Sequence, residues 1–200
     1  MSFTTIEAAS FGMLLKKVRD DRRFWPDEAT FRLAHQVLPV PATEVAVVNN
    51  GRLLLQYRLF DDWPEPHNKP GWYIPGGYVP WGASFEEACA THLKKDQRGE
   101  YKRAGVDGGN LDAVKLGPLT CIGVKKWMPG EHPFGAPVSL VMVTELEEGT
   151  ILETDWLKWS DEVIKTDVPH HEKFQKMVFH WLKSPPEYRA WLREMHAIAD

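Results

Sequence analysis

Two short apolar runs, residues 43–48 and 53–57, flank Asn49-Asn50-Gly51-Arg52. An Asn-Gly pair supplies the positive backbone angles of a tight turn, so the pattern predicts a β-hairpin. A second signal lies further on, where Gly71-Trp72-Tyr73-Ile74-Pro75-Gly76-Gly77 reads as a short strand and a glycine turn. Ser84-Phe85-Glu86-Glu87 then fits a capping box, which opens a helix over 84–96. In that helix Phe85, Cys89 and Leu93 fall on the core side, while His92 and Asp96, four apart, share another face. Residues 97–110, polar and carrying Gly99, Gly105, Gly108 and Gly109, read as a loop.

Residues 116–127 and 138–145 are strand candidates that should pair, and 156–159 read as a further short strand. Ser160-Asp161-Glu162 suggests a short helical turn, followed by a loop over 165–171. Apolar positions at Phe174, Met177, Val178 and Trp181, then at Tyr188, Trp191, Leu192, Met195 and Ile198, predict two amphipathic helices over 172–182 and 186–199. Upstream, residues 1–20 carry a loose helical pattern. Pro26 opens a short helix that Pro39 and Pro41 end. The proline-rich stretch 59–70 reads as a long functional or mobile loop. Strands on both sides of a helix suggest a mixed α/β sandwich. The chain divides into an N-terminal extension (1–24), one main domain (25–183) and a C-terminal helix packed on it (184–200), with no internal repeat.

Composition narrows the partners. With 200 residues, 43% of them hydrophobic, and a net charge of −4, the chain can bury a core but offers no basic stripe. Nucleic acid and anionic membranes are therefore poor candidates, and small molecules or proteins remain. Only Cys89 and Cys121 are present, with no CxxC pair, which points to reduced thiols and a cytoplasmic setting. Neither a charged leader with an apolar run nor a bilayer-length apolar stretch is seen. Of the nine Trp, those at 25, 63, 72, 81 and 127 fall near loops, and those at 156, 159, 181 and 191 at core-like spacings.

The 71–96 stretch resembles a Nudix box. Counted from Gly77, that motif's first Glu falls on Ala83, its Arg-Glu on Thr91-His92, its apolar position on Leu93 and its Glu-Glu on Lys95-Asp96. The glycines and the helix match, whereas most carboxylates do not. The losses are similar to those of the GDP-mannose mannosyl hydrolase branch, whose box keeps the last carboxylate. The segment from Phe31 through Pro39 to Glu44, and the hairpin ending at Arg58, also have that branch's spacing.

The resemblance implies a Nudix-like α/β/α sandwich with a mixed sheet and extra N- and C-terminal helices. It also implies hydrolysis of a nucleoside diphosphate sugar or related diphosphate, by water attack at the anomeric carbon. One ion, Mg²⁺ or Mn²⁺, would sit on the diphosphate, held by the Gly77 carbonyl and Asp96. A single ion needs fewer carboxylates. Arg58 would neutralise the leaving diphosphate. Glu44 would contact the nucleoside or its leaving-group side, and His170 or His171 would be the general base, with His170 the nearer to the branch's motif. Tyr78, where the branch has an arginine, and Lys95 are further candidate substrate contacts. The branch forms dimers, so a homodimer is also implied.

Ordinary roles compete with each assignment. Asp96 as a solvated helix residue, Arg58 paired with Asp61 or Asp62, Glu44 facing water and His92 at the core edge are the plain alternatives. A reading of a different class is a noncatalytic nucleotide-binding or interaction module in which Lys95 takes over the ion's charge. A conventional Nudix pyrophosphatase is disfavoured by the missing carboxylates.

Overall fold

A computed structural model describes residue 13 and residues 40–58, 69–80, 82–104, 113–128, 131–132 and 137–197, with side chains for all but 95–104, 169, 196 and 197. The N-terminal extension, the helix expected from Pro26, residues 59–68 of the long loop, and Trp25, Trp63 and Trp81 lie outside the described residues.

The hairpin forms as expected. Strand β1 (Pro41–Asn49) pairs antiparallel with β2 (Arg52–Arg58), and Asn49 faces Arg52 across a two-residue turn. Both turn residues have positive φ, 49° at Asn50 and 77° at Gly51, the combination that Asn-Gly tolerates. Strand β3 (Gly71–Tyr73) pairs with β2, and β4 (Gly76–Tyr78) pairs with β1. The Gly76-Gly77 pair is thus strand and not turn: neither has positive φ, and the left-handed glycine falls at Gly82, before the helix.

Helix α1 (Phe85–Ala104) begins on the expected capping box. The Ser84 amide donates to Glu87 Oε2 at 2.9 Å, and the Glu87 amide donates to Ser84 Oγ at 3.1 Å. Ala88, Cys89 and Leu93 are buried beneath it, but Phe85 is 38% exposed because it precedes the turn that meets the sheet. The loop expected over 97–110 is corrected for 97–104, where the helix runs through Gly99 to Ala104, and 105–110 lie outside the described residues. A lone glycine costs a helix only about 1 kcal/mol, and Lys, Arg, Glu and Tyr around it favour or tolerate helix.

Strands β5 (Lys115–Leu116) and β6 (Thr120–Lys126) both pair antiparallel with β7 (Val138–Glu148). β7 in turn lies parallel to β1 along eight residue pairs, from Pro41–Val138 to Val48–Glu145. Strand β8 (Leu157–Ser160) closes on β2. The helical turn expected at Ser160-Asp161-Glu162 is absent. Ser160 Oγ donates instead to the Glu162 carbonyl at 2.7 Å, a side-chain turn that leaves the chain extended. Helix α2 (Pro169–Lys183) starts earlier than expected, because Pro169 sits at its first position, where its missing N–H is harmless. Helix α3 (Pro186–Ala197) follows after a two-residue break.

The result is an α/β/α sandwich around a mixed sheet. Val45, Val47, Leu54, Met142 and Leu157 bury one face with Cys89 and Leu93 of α1. Ala46, Val48, Leu53, Leu55, Val141 and Val143 bury the other with Phe174, Val178 and Trp181 of α2, and Leu192 of α3 packs at its margin. Trp127, expected near a loop, is core at 5% exposure, whereas Trp191, expected at a core spacing, is 52% exposed. No helix among the described residues is long and apolar enough to cross a membrane. Ser84→Ala is expected to lower stability by about 1 kcal/mol in urea unfolding. Adding Glu87→Ala should cost less than a second full increment, since the two side chains act as one cap.

Candidate functional site

Strand β4 divides the site between two faces. Gly77 pairs with Thr43, on the α1 side of β1, and a Cβ there would lie 2.6 Å from His92 Cε1 and 2.9 Å from His92 Nδ1. Only a glycine lets the imidazole this close. The Tyr78 carbonyl can only accept, so His92 Nε2–H donates to it at 2.8 Å, tying α1 to β4. The Val45 amide donates to the Pro75 carbonyl at 2.6 Å and the Val79 amide to the Pro41 carbonyl at 2.9 Å. Because hydrogen-bonded pairs alternate along an antiparallel ladder, Thr43–Gly77 falls in phase with those two bonds. The Gly77 carbonyl is accordingly directed at β1.

On the opposite face, Gly76 faces Glu44, and Tyr78 faces Ala42. A Cβ on Gly76 would strike the Thr43 carbonyl oxygen and the Glu44 carboxylate, at 2.4 and 2.6 Å. Burial raises the Tyr78 phenol above its usual range, and the Glu44 charge adds to the shift. Tyr78 is thus a neutral hydroxyl at physiological pH. Its oxygen lies 3.4 Å from His132 Nε2. A series of edge contacts then runs from His132 to Trp127 at 5.1 Å, Trp127 to His170 at 4.4 Å, His170 to His171 at 4.5 Å, and His171 to Tyr73 at 4.3 Å.

His170 and His171 differ sharply. Both stand in the first turn of α2 and not in a loop as expected. His171 is buried, with Nδ1 lacking a hydrogen-bond partner, while His170 is half-buried at the edge of Trp127. Burial first, then the charges of His170 and Arg58, hold His171 well below the ordinary imidazole range. His171 is therefore neutral at pH 7. Arg58, at the end of β2, also acts on Tyr73, whose phenol is raised by burial and lowered in part by that guanidinium.

The structure thus brings Glu44, Tyr78, Arg58, His170 and His171 to one end of the sheet. Gly77 lies on the face toward α1 with His92. Lys95 and Asp96 occupy helical positions on α1, and their side chains lie outside the described residues. Sequence reasoning missed Trp127, His132 and Tyr73 as members of this end. Trp127 ends a strand candidate, where a Trp reads as packing, and His132 comes from a Pro/Gly-rich connection that carries no periodic signal. Cys89 is no nucleophile candidate: burial pushes its thiol up to about 12.

Mg²⁺ and Mn²⁺ favour oxygen donors, Mg²⁺ the more strictly. Among the described residues no group of three His, Cys, Asp or Glu side chains sits together, and the donor beside Gly77 is an imidazole. The described residues therefore do not fit an all-oxygen, multi-ion cluster.

No protein-family model matches the chain, and no curated protein matches it. Solved structures similar to it include a NUDIX hydrolase from Nitrosomonas europaea, 12% identical over 78% of this chain and 92% of that one, TM-score 0.44. A possible asymmetric diadenosine tetraphosphate hydrolase from Jonesia denitrificans is 13% identical over 74% of this chain and 96% of its own, TM-score 0.48. A UDP-X diphosphatase is 12% identical over 91% and 84%, TM-score 0.47.

The unfolded chain protonates His171 near pH 6.5, whereas the folded chain does so only well below it. The stability held by the neutral ring is present above about pH 6.5 and is lost as pH falls, with a slope of up to about 1.4 kcal/mol per unit. Urea unfolding at pH 7.5 and 5 should show this decline. His171→Phe, placed among His170, Arg58, Tyr73 and Phe174, should flatten it.

Proposed function

We propose that this chain is a Nudix-type hydrolase of a nucleoside diphosphate sugar or related diphosphate. The observation that supports it best is that Glu44 and Tyr78 act on one another on one face of the Gly76-Gly77 strand, while Arg58 and His170 act on His171 at the same end of the sheet. In this reading His170 takes a proton from water as its oxygen attacks the anomeric carbon. The carbon–oxygen bond to the diphosphate breaks, and free sugar and nucleoside diphosphate leave. His170 suits the base role better than His171, because its ring reaches solvent and the neighbouring ring is sealed. Arg58 meets charge that grows on the departing diphosphate. The neutral Tyr78 hydroxyl and Glu44 orient the nucleoside side, and Lys95 pairs with phosphate. One divalent ion held at Asp96 would add charge neutralisation when bound; the Gly77 carbonyl, expected to share it, is directed at β1 instead. A homodimer in the cytoplasm accompanies this reading.

A panel of nucleotide sugars, assayed for released reducing sugar with and without a divalent ion, tests it. We expect turnover of at least one compound, with His170→Ala lowering kcat by about 10²-fold or more and His171→Phe changing it far less. Arg58→Ala should cost about 10²-fold. No turnover across the panel would remove the hydrolase reading. The His92 imidazole standing over Gly77 favours one rival, a noncatalytic nucleotide-binding module. That rival expects nucleoside diphosphates to bind equally well in chelator, as calorimetry would show.

A further inference from the structure

We infer that Trp127 is a positioning residue of this site: anchored in the sheet, it sets the direction of the His170 ring and meets the His132 ring as well. It acts through those imidazoles and not on a ligand, because it is itself buried at 5% exposure.

The need arises at the start of α2. Val168, its N-cap, makes no side-chain capping hydrogen bond, and Pro169 at the first position brings no N–H. An uncapped first turn frays unless side chains pin it. Rings do so here: His171 packs edge-on against Tyr73 with centroids 4.3 Å apart, and His170 against Trp127 at 4.4 Å and 78°. His171 is enclosed, whereas His170 is half-buried, so a wall on its protein side decides which way its ring points.

Trp127 fits that role because its own supports come from elsewhere. Its indole N–H, a group that can only donate, reaches Ser139 Oγ on β7 at 2.9 Å, and its amide donates to the Pro137 carbonyl at 3.1 Å. Lys125 Nζ lies 4.3 Å from the ring centroid, and Glu131 holds the same ammonium at 3.3 Å. These groups belong to β6, β7 and the chain beside them, not to α2. The indole is thus a fixed point of the sheet against which the helix end is placed. His132 meets the same indole at 5.1 Å and lies 3.4 Å from the Tyr78 hydroxyl, so Trp127 joins the His170 side of the site to the Tyr78 side.

This deepens the hydrolase reading and rests on it only for the chemistry, so the first measurement needs no substrate. NMR relaxation of the imidazole Cε1–H groups in the full-length protein reports how ordered each ring is. Trp127→Leu should lower the order of the His170 and His132 rings and, with any nucleotide sugar that is turned over, lower kcat about tenfold while KM changes less than about threefold. Trp127→Phe, which keeps a ring in place, should recover most of both. Ser139→Ala removes the acceptor and leaves the indole; it should give a smaller loss of the same kind, and it keeps the test informative should Trp127→Leu not fold. Trp159→Leu deletes another packed indole, on β8, and should lower the urea midpoint without loosening either ring. Unchanged order of both rings in the variants that fold, or a loosening that Trp159→Leu reproduces, would overturn the inference and leave Trp127 a core residue only. Loosened rings in a protein that turns over no nucleotide sugar would sustain it while removing the hydrolase reading. Turnover that needs His170, with both rings still ordered in Trp127→Leu, would do the reverse.

Discussion

The contact of α1 with the sheet depends on how thin β4 is. Its first two residues are glycines, and neither position has room for a methyl group: the Thr43 carbonyl crowds Gly76 and the His92 ring crowds Gly77. With no side chain on Gly77, α1 and β4 approach one another closely. The His92–Tyr78 hydrogen bond then ties the helix to the strand one residue beyond the glycines. Cys89 and Leu93, a turn apart, complete the contact by filling the core against Val45 and Val47. The helix is thus located by absences as much as by contacts. A methyl group inserted there would force backbone or ring movement, since the closest neighbours include a carbonyl oxygen that cannot rotate away.

Local signals were legible where the physics is local. The Asn50-Gly51 turn and the Ser84–Glu87 cap each satisfy their own backbone groups within a few residues, so their sequence meaning survives any tertiary context. The failures come where distant packing decides. Gly99 was read as a breaker, but a single glycine in a run of helix-tolerant residues is too weak a signal to end a helix. Gly76-Gly77 was read as a turn, although its glycines answer to steric crowding from another strand and not to a backbone angle. The parallel pairing of β1 with β7 brings together residues about a hundred positions apart, and nothing in either run specifies its partner.

For the candidate site, the chain suggested residue types but not their arrangement. Glu44, Arg58, Tyr78 and the two histidines do meet at one end of the sheet, yet which histidine faces inward required α2 to be seen starting at Pro169. A loop would have left both rings free to turn. The first turn of a helix instead fixes their directions about 100° apart, so one is sealed against Tyr73 and Phe174 while the other lies along Trp127. His92 carried a weak sequence signal because a helix-surface histidine is common. Its meaning arises from Gly77, fifteen residues earlier, having no side chain to keep it away.

The alternation of β4 imposes a geometry on any ligand that uses both halves of the site. Gly77 faces α1, and Gly76 and Tyr78 face α2, so donors near His92 and the imidazoles of α2 lie on opposite sides of one strand. A compound touching both cannot pass through the sheet; it must lie across the sheet's end, where β1 and β7 begin side by side at Pro41 and Val138. A compact ligand would reach one face only. Arg58 stands at the same end of the sheet, because the hairpin returns β2 to where β1 started.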